Sequence, residues 1–170
     1  MATYSLISSL TAGSGGSATF DFTSIPATYT DLHLVVTGRN TASGNDSRFS
    51  IQFNGSSSNL SQRRLYENDG TNVVTDAPAS AIQPTALNQN NYTASTFAST
   101  EIYIPNYAGS NYKTLSLNAV TSNNSTNNYA MFLAGLWSDT SAINQITLTP
   151  LSSGNFAQYS TAYLYGISNA

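Results

Sequence analysis

Short runs of alternating apolar and polar residues recur along the chain, and most of them end at a cluster of turn-forming residues. Residues 31–38 and 48–53 both place large apolar side chains at every second position. The Asn54-Gly55 pair after the second run is a strong signal for a tight turn. Because side chains on a β-strand point alternately to opposite faces, this pattern predicts short strands with one buried face.

The pattern predicts about ten strands. They span residues 4–10, 18–22, 31–38, 48–53, 60–66, 101–105, 113–121, 129–137, 143–149 and 161–167. The first two flank a glycine-rich turn at 13–16 and could pair as a hairpin, and 60–66 continues a meander after 48–53. The run 129–137 is almost continuously apolar, which favours a central strand buried on both faces.

Strands with one apolar face need a second layer to cover that face. The prediction is therefore an all-β, antiparallel two-sheet β-sandwich of jelly-roll type. A chain of 170 residues falls within the size range of one domain, so we expect a single domain over residues 1–170.

The segment 69–95 lacks alternation and is longer than a connection between strands needs to be. Prolines in it lower the entropy lost on ordering, and its large apolar side chains could anchor a partner. A mobile surface loop is the alternative interpretation, and the N-terminal segment is the other candidate contact. The predicted partner interface consists of Pro78, Ile82, Pro84, Leu87 and Tyr92.

Charge is scarce: 8% of the residues are charged, against about 25% in an average domain. Five Lys and Arg residues at a net charge of −3 cannot form a phosphate-binding stripe, which excludes a typical nucleic-acid partner. No run reaches the roughly 18 apolar residues of a membrane span. We expect a soluble chain, made in a bacterial cytoplasm, without a membrane partner.

Catalytic and metal-binding patterns are weak. The chain has no cysteine and one histidine, His33, which lies between two leucines in a predicted strand and favours a structural role. Glu67 and Asp69 are the closest pair of carboxylates, but they lie in a turn-like segment and more simply serve turn geometry. We predict that the chain is not an enzyme and has no catalytic, cofactor-binding or metal-binding residues.

Other motifs also favour a structural or binding role. The glycines at 13–16 are not followed by a lysine or a helix, so they predict a turn rather than a phosphate loop. Arg63 and Arg64 are neighbours in a predicted strand, so their side chains should point to opposite faces. Eleven tyrosines suit a binding surface or sugar stacking, and they also suit ordinary exposed sheet faces.

Four segments carry a family resemblance: SIPATYTDL at 24–32, IYIPNY at 102–107, GLW at 135–137 and YLYGI at 163–167. Together they resemble a family of small virion proteins of tailed bacteriophages, especially phages of cyanobacteria and marine bacteria. The similarity covers about residues 5–168. It implies a location on the virion, either as a cement or decoration protein on the major capsid protein or as a host-binding module of a tail fibre.

The chain lacks the heptads and glycine repeats of a fibre shaft, which favours the capsid. We expect a homo-oligomer, most simply a trimer, seated where capsid subunits meet. A carbohydrate-binding jelly-roll lectin is the alternative from another functional class.

Overall fold

The computed structural model describes residues 1–44, 47–68, 72–76, 81–124 and 128–168, and in these residues it contains strands and no helix. The prediction of an all-β chain is confirmed. The described part of the chain therefore contains no helix that could cross a bilayer.

Eleven strands form, ten of them at the predicted alternating runs and one, Asn72–Asp76, within the segment 69–95 that was expected to be a long loop. They are β1 (Thr3–Thr11), β2 (Phe20–Phe22), β3 (Asp31–Gly38), β4 (Phe49–Phe53), β5 (Leu60–Asn68), β6 (Asn72–Asp76), β7 (Ala98–Ile104), β8 (Lys113–Ser122), β9 (Asn128–Trp137), β10 (Ile146–Pro150) and β11 (Thr161–Ser168). The glycine-rich segment 13–16 is a turn, as predicted, closed by a 2.9 Å hydrogen bond from the Gly16 amide to the Gly13 carbonyl.

Two antiparallel sheets of unequal size contain these strands. The large sheet has eight strands in the order β1-β11-β3-β7-β8-β9-β5-β6, and the small sheet has three in the order β2-β10-β4. The predicted two-sheet antiparallel sandwich is thus confirmed.

Nested strand pairs give the fold its jelly-roll character. Early strands pair with late ones: β1 with β11, β2 with β10, and β3 with β7. The innermost pair joins β4 to residues 82–87, through a bridge between Arg48 and Thr85 and a 3.0 Å bond from the Ile51 amide to the Ile82 carbonyl. Rolling such a paired ribbon into two facing sheets produces a jelly roll.

Two insertions enlarge one sheet of this jelly roll. The strands β5 and β6 lie between β4 and residues 82–87 in the chain, and β8 and β9 lie between β7 and β10. All four join the large sheet beyond β7. We call them the inserted strands, and they double the width of that sheet.

The structure corrects three sequence-based expectations about pairing and burial. The first two strands do not form a hairpin, because β1 pairs with β11 and β2 pairs with β10. The chain does not continue as a meander after β4, because β5 joins the other sheet. In β9, Met131 and Leu133 are buried while Ala130, Phe132 and Ala134 are exposed, so only one face of that strand is covered.

The core lies between the two sheets. Large side chains of the small sheet, including those of Phe22, Phe49 and Phe53, face the inner side of the large sheet. The rings of Phe20 and Phe156 stack with centroids 4.1 Å apart. Full burial of one such side chain stabilises the fold by roughly 1.5–3 kcal/mol, so the alternating pattern determines which face of each strand turns inward.

The predicted partner interface is corrected as well. Ile82 and Leu87 are 0% exposed, Pro84 is buried and Tyr92 is 8% exposed, with its hydroxyl 3.2 Å from the Ser47 hydroxyl. These side chains anchor their segment to its own domain, because residues 82–87 cover the open edge of β4. They are therefore not accessible to a partner in this conformation, and Pro78 lies outside the described residues.

Arg39 holds the next stretch of this segment in place. Its guanidinium donates hydrogen bonds of 2.9–3.1 Å to the carbonyls of Asn90, Tyr92, Thr93 and Thr96, and a longer one to the Thr96 hydroxyl. Burial lowers the pKa of the guanidinium, but an arginine stays charged in proteins. One buried cation thus satisfies four loop carbonyls, and no sequence motif had singled it out.

Candidate functional site: the outer face of the large sheet

Most of the exposed apolar surface lies on one side of the molecule. Of the eleven large hydrophobic side chains that the described residues expose, eight point outward from the large sheet. They are Tyr4, Leu6, Leu65, Val73, Tyr103, Val120, Phe132 and Tyr163. A broad apolar surface of this kind on a small domain indicates an interaction site.

An apolar groove crosses the inserted strands. Ser116 on β8, Ala134 on β9 and Arg63 on β5 are successive cross-strand neighbours. The side chains of Phe132 and Leu65, which are cross-strand neighbours, lie beside them in the next row, and Phe132 is 68% exposed. Together with Thr75 these residues outline an open groove of about 510 Å³, which we call the Phe132 groove.

The two neighbouring arginines of β5 point to opposite faces, as predicted. Arg63 is exposed at the groove, whereas Arg64 is buried. Arg64 donates a 3.1 Å hydrogen bond to the Gln83 carbonyl, and its guanidinium carbon lies 5.5 Å from the centre of the Tyr66 ring. Of these two arginines, only Arg63 therefore contributes positive charge to the outer face.

A second site lies on the jelly-roll strands of the same sheet. Tyr165, His33 and Tyr103 are cross-strand neighbours on β11, β3 and β7. The Tyr4 ring on β1 lies edge-on to two of them, with its centroid 5.8 Å from that of His33 and 6.5 Å from that of Tyr165. We call these four residues, with Asp31, the tyrosine cluster.

Asp31 fixes one side of the cluster. Its carboxylate accepts a 2.7 Å hydrogen bond from the Tyr103 hydroxyl and a 2.9 Å bond from the Asn106 amide. The bond to Asp31 is the main reason that the pKa of Tyr103 is raised above its ordinary value. The Tyr103 ring is thereby held in one orientation while 38% of the residue stays exposed.

The single histidine lies on the face opposite its leucine neighbours, as alternation along a strand predicts. His33 lies between two buried leucines in the chain, but its own side chain is half-buried on the outer face. It contacts aromatic rings there, and a position beside Tyr4 could not be inferred from local sequence because β1 and β3 are not adjacent strands.

The two sites adjoin on the outer face. Tyr103 of the tyrosine cluster is the cross-strand neighbour of Ser116 of the Phe132 groove, on the adjacent strands β7 and β8. Their far ends are separated, because Tyr4 on β1 lies five strands from Phe132 on β9.

Other ionisable side chains are occupied with local structure. Lys113 is 1% exposed, donates a 2.5 Å bond to the Asn111 carbonyl and lies 5.9 Å from the Trp137 ring, and burial lowers its pKa. Glu67 lies near the end of β5, and Asp69 is outside the described residues. Within those residues no three side chains of metal-binding type come together.

Comparisons with protein family models, curated protein sequences and solved structures found no match to this chain.

Proposed function

We propose that this chain is a non-catalytic structural protein of a bacteriophage particle, which binds across subunits of the major capsid protein as cement. Its docking surface is the outer face of the inserted strands. The observation that carries the proposal is the Phe132 groove, where Phe132 and Leu65 remain exposed on a sheet whose inner face carries the buried Leu115, Leu117, Met131 and Leu133. The resemblance of the sequence to phage virion proteins supports the setting.

The size of this surface suits a modest interface. The inserted strands β5, β6, β8 and β9 contain nine, five, ten and ten residues. At about 3.3 Å per residue and 4.8 Å between strands, they cover roughly 540 Å². A standard protein–protein interface takes about 800 Å² from each partner, so one copy binds weakly. A trimer presents three such surfaces at once, and avidity then compensates for the small area.

The chemistry of the surface suits a protein partner. Apolar side chains supply the affinity, and the neutral Ser116 and Asn118 between them form hydrogen bonds without the cost of burying charge. Among the described residues of the inserted strands, Arg63 at the groove is the one cation on this face. A carboxylate of the partner next to the groove would pair with it.

A non-catalytic role agrees with how the described polar groups are used. The Asp21 carboxylate accepts hydrogen bonds from the hydroxyls of Thr19 and Thr147, and the Asp31 carboxylate is held by Tyr103 and an amide. His33 lies against aromatic rings. Hydrolysis requires a base placed beside a nucleophile, and these contacts serve other purposes.

The test uses capsid shells assembled without this protein. Phe132→Ser removes the most exposed ring of the groove, and we expect it to weaken binding to the shells by about tenfold to a hundredfold, the loss from unburying one large side chain. Tyr112→Ser is the matched control, because Tyr112 is 58% exposed in the connection between β7 and β8.

Binding measured by co-sedimentation should fall for Phe132→Ser and stay at the wild-type level for Tyr112→Ser. Equal binding by both variants contradicts the assignment of the groove. Failure of the wild-type protein to bind shells at all contradicts the cement function.

A further inference from the structure

We infer that the tyrosine cluster is a second binding site and that it binds a neutral glycan, independently of the cement function. The cluster lies on the jelly-roll strands and borders the Phe132 groove at Tyr103, whereas Tyr4 lies five strands from Phe132. Tyr165, His33 and Tyr103 occupy one row on neighbouring strands, so their side chains are spaced by about 4.8 Å, the distance between strands. The rings form an open row rather than an enclosed pocket.

The hydrogen-bonding groups of this row are available to a ligand. Among the residues that the structure describes, the hydroxyls of Tyr4 and Tyr165 and the ring nitrogens of His33 have no hydrogen-bond partner. The buried tyrosines differ, since the Tyr92 hydroxyl is bonded to Ser47. Aromatic area and unpaired polar groups therefore lie side by side in the cluster.

One member of the row is already fixed in orientation. The Tyr103 hydroxyl is bonded to Asp31, and Asp31 is bonded to a backbone amide. A ring held in this way loses little conformational entropy when a ligand stacks on it. The cluster is thus partly organised before binding.

Charge selects the class of ligand. Glu101 lies in the next row of the outer face, opposite Val35, and Asp31 lies in the cluster itself. The only arginine or lysine side chain on the outer face of the described strands is Arg63, three strands away from Tyr103, or about 14 Å. Phosphate, sulfate and carboxylate groups are therefore disfavoured at the cluster.

A neutral sugar matches the remaining chemistry. A pyranose ring has a face of C–H groups that packs on an aromatic ring, and its hydroxyls can both donate and accept hydrogen bonds. Successive sugars of a chain can stack along an open row. A quaternary ammonium ion would instead require rings arranged around it as a cage.

The experiment is an array of neutral and acidic oligosaccharides, followed by calorimetry with the neutral oligosaccharide that binds best. We expect neutral glycans to bind, and we expect Tyr4→Ser to weaken that binding by about tenfold through the loss of one stacking contact. Tyr4 is 59% exposed on an edge strand, so the variant should fold. Tyr112→Ser is the matched control and should bind as the wild type does.

A second variant tests the orientation of the row. Tyr103→Phe keeps the ring but removes the bond to Asp31, and it should weaken binding less than Tyr4→Ser does. Binding of acidic glycans only, binding of choline in place of sugars, binding of no glycan, or equal binding by Tyr4→Ser and Tyr112→Ser would each overturn the inference.

The two proposals fail separately. Tyr4→Ser should still bind capsid shells, and Phe132→Ser should still bind the glycan. Loss of both activities in either single variant would show that the two sites are not independent.

Discussion

Replacing Arg39 with methionine should cost the fold about 3 kcal/mol, because one side chain satisfies four carbonyls of the segment 90–96. Methionine keeps much of the aliphatic stem and removes every donor. A hydrogen bond to a charged group contributes about 1.5–3 kcal/mol, so two lost bonds alone would cost 3–6 kcal/mol. Two of the four acceptor residues, Asn90 and Thr93, are exposed, and water reaching their carbonyls reduces the loss to the lower end of that range.

A loss of that size is a large part of the 5–15 kcal/mol that stabilises a typical domain. Urea denaturation should show a lower midpoint for Arg39→Met with the same dependence on denaturant, and the amide hydrogens of Tyr92 and Thr96 should exchange faster than in the wild type. Arg39→Lys, which keeps the charge but has fewer donors, should lose less.

Arg63→Met is the control, since Arg63 is exposed and substitutions at such positions usually change stability by less than about 0.5 kcal/mol. If Arg39→Met and Arg63→Met destabilise equally, the guanidinium does not hold the segment and the reasoning is refuted.

Two further predictions concern stability. Gly166→Ala should destabilise the fold by about 1–3 kcal/mol, because a β-carbon at that position would lie 2.3 Å from the Tyr29 ring. Gly13→Ala is the control, since a β-carbon there would have no atom within 4 Å. Equal thermal unfolding temperatures for the two variants would contradict this. Burial raises the pKa of the Tyr107 hydroxyl above its ordinary value of 10.0. Above pH 10 the unfolded state therefore loses the hydroxyl proton while the folded state keeps it, and the free energy of unfolding should fall as the pH rises. Tyr107→Phe should lose less stability than the wild type between about pH 9 and pH 11 in urea titrations, and an identical loss would count against the assignment.

Local sequence predicted the strands well because alternation is a local property. It identified β3, β4, β8 and β11, and it identified the inward faces of β3 and β4. In β11 the tyrosines Tyr163 and Tyr165 lie on the outer face, and the buried side chains are those of Ala162 and Leu164. Pairing is not local. Thr3 lies beside Ser168, and nothing within either strand specifies the other.

The segment after β6 shows where composition misleads. Ile82 and Leu87 in a stretch of turn residues looked like anchors for a partner, but an apolar side chain binds whichever apolar surface is nearest. Here that surface is the core beside β4, and Gly38 leaves room for Leu87, whose side chain would lie 2.4 Å from a β-carbon at that position. Such a fit depends on two segments far apart in the chain.

The sequence indicated that a binding surface exists but not which residues form it. The number of tyrosines indicated a binding surface, but the tyrosine cluster joins Tyr4, Asp31, Tyr103 and Tyr165 from four strands. The Phe132 groove likewise depends on exposure of the outer face of β9, which its nearly continuous apolar sequence had suggested was covered. Apolar side chains on an exposed face look the same in the sequence as those in a core.

The central claim is that the inserted strands dock this protein on a capsid, and cryo-microscopy of intact particles tests it most directly. The account predicts many copies distributed over the shell at junctions between capsid subunits, with Phe132 and Arg63 facing the capsid. Copies confined to the tail tip, or copies on the shell with the Phe132 groove turned toward solvent, would contradict it.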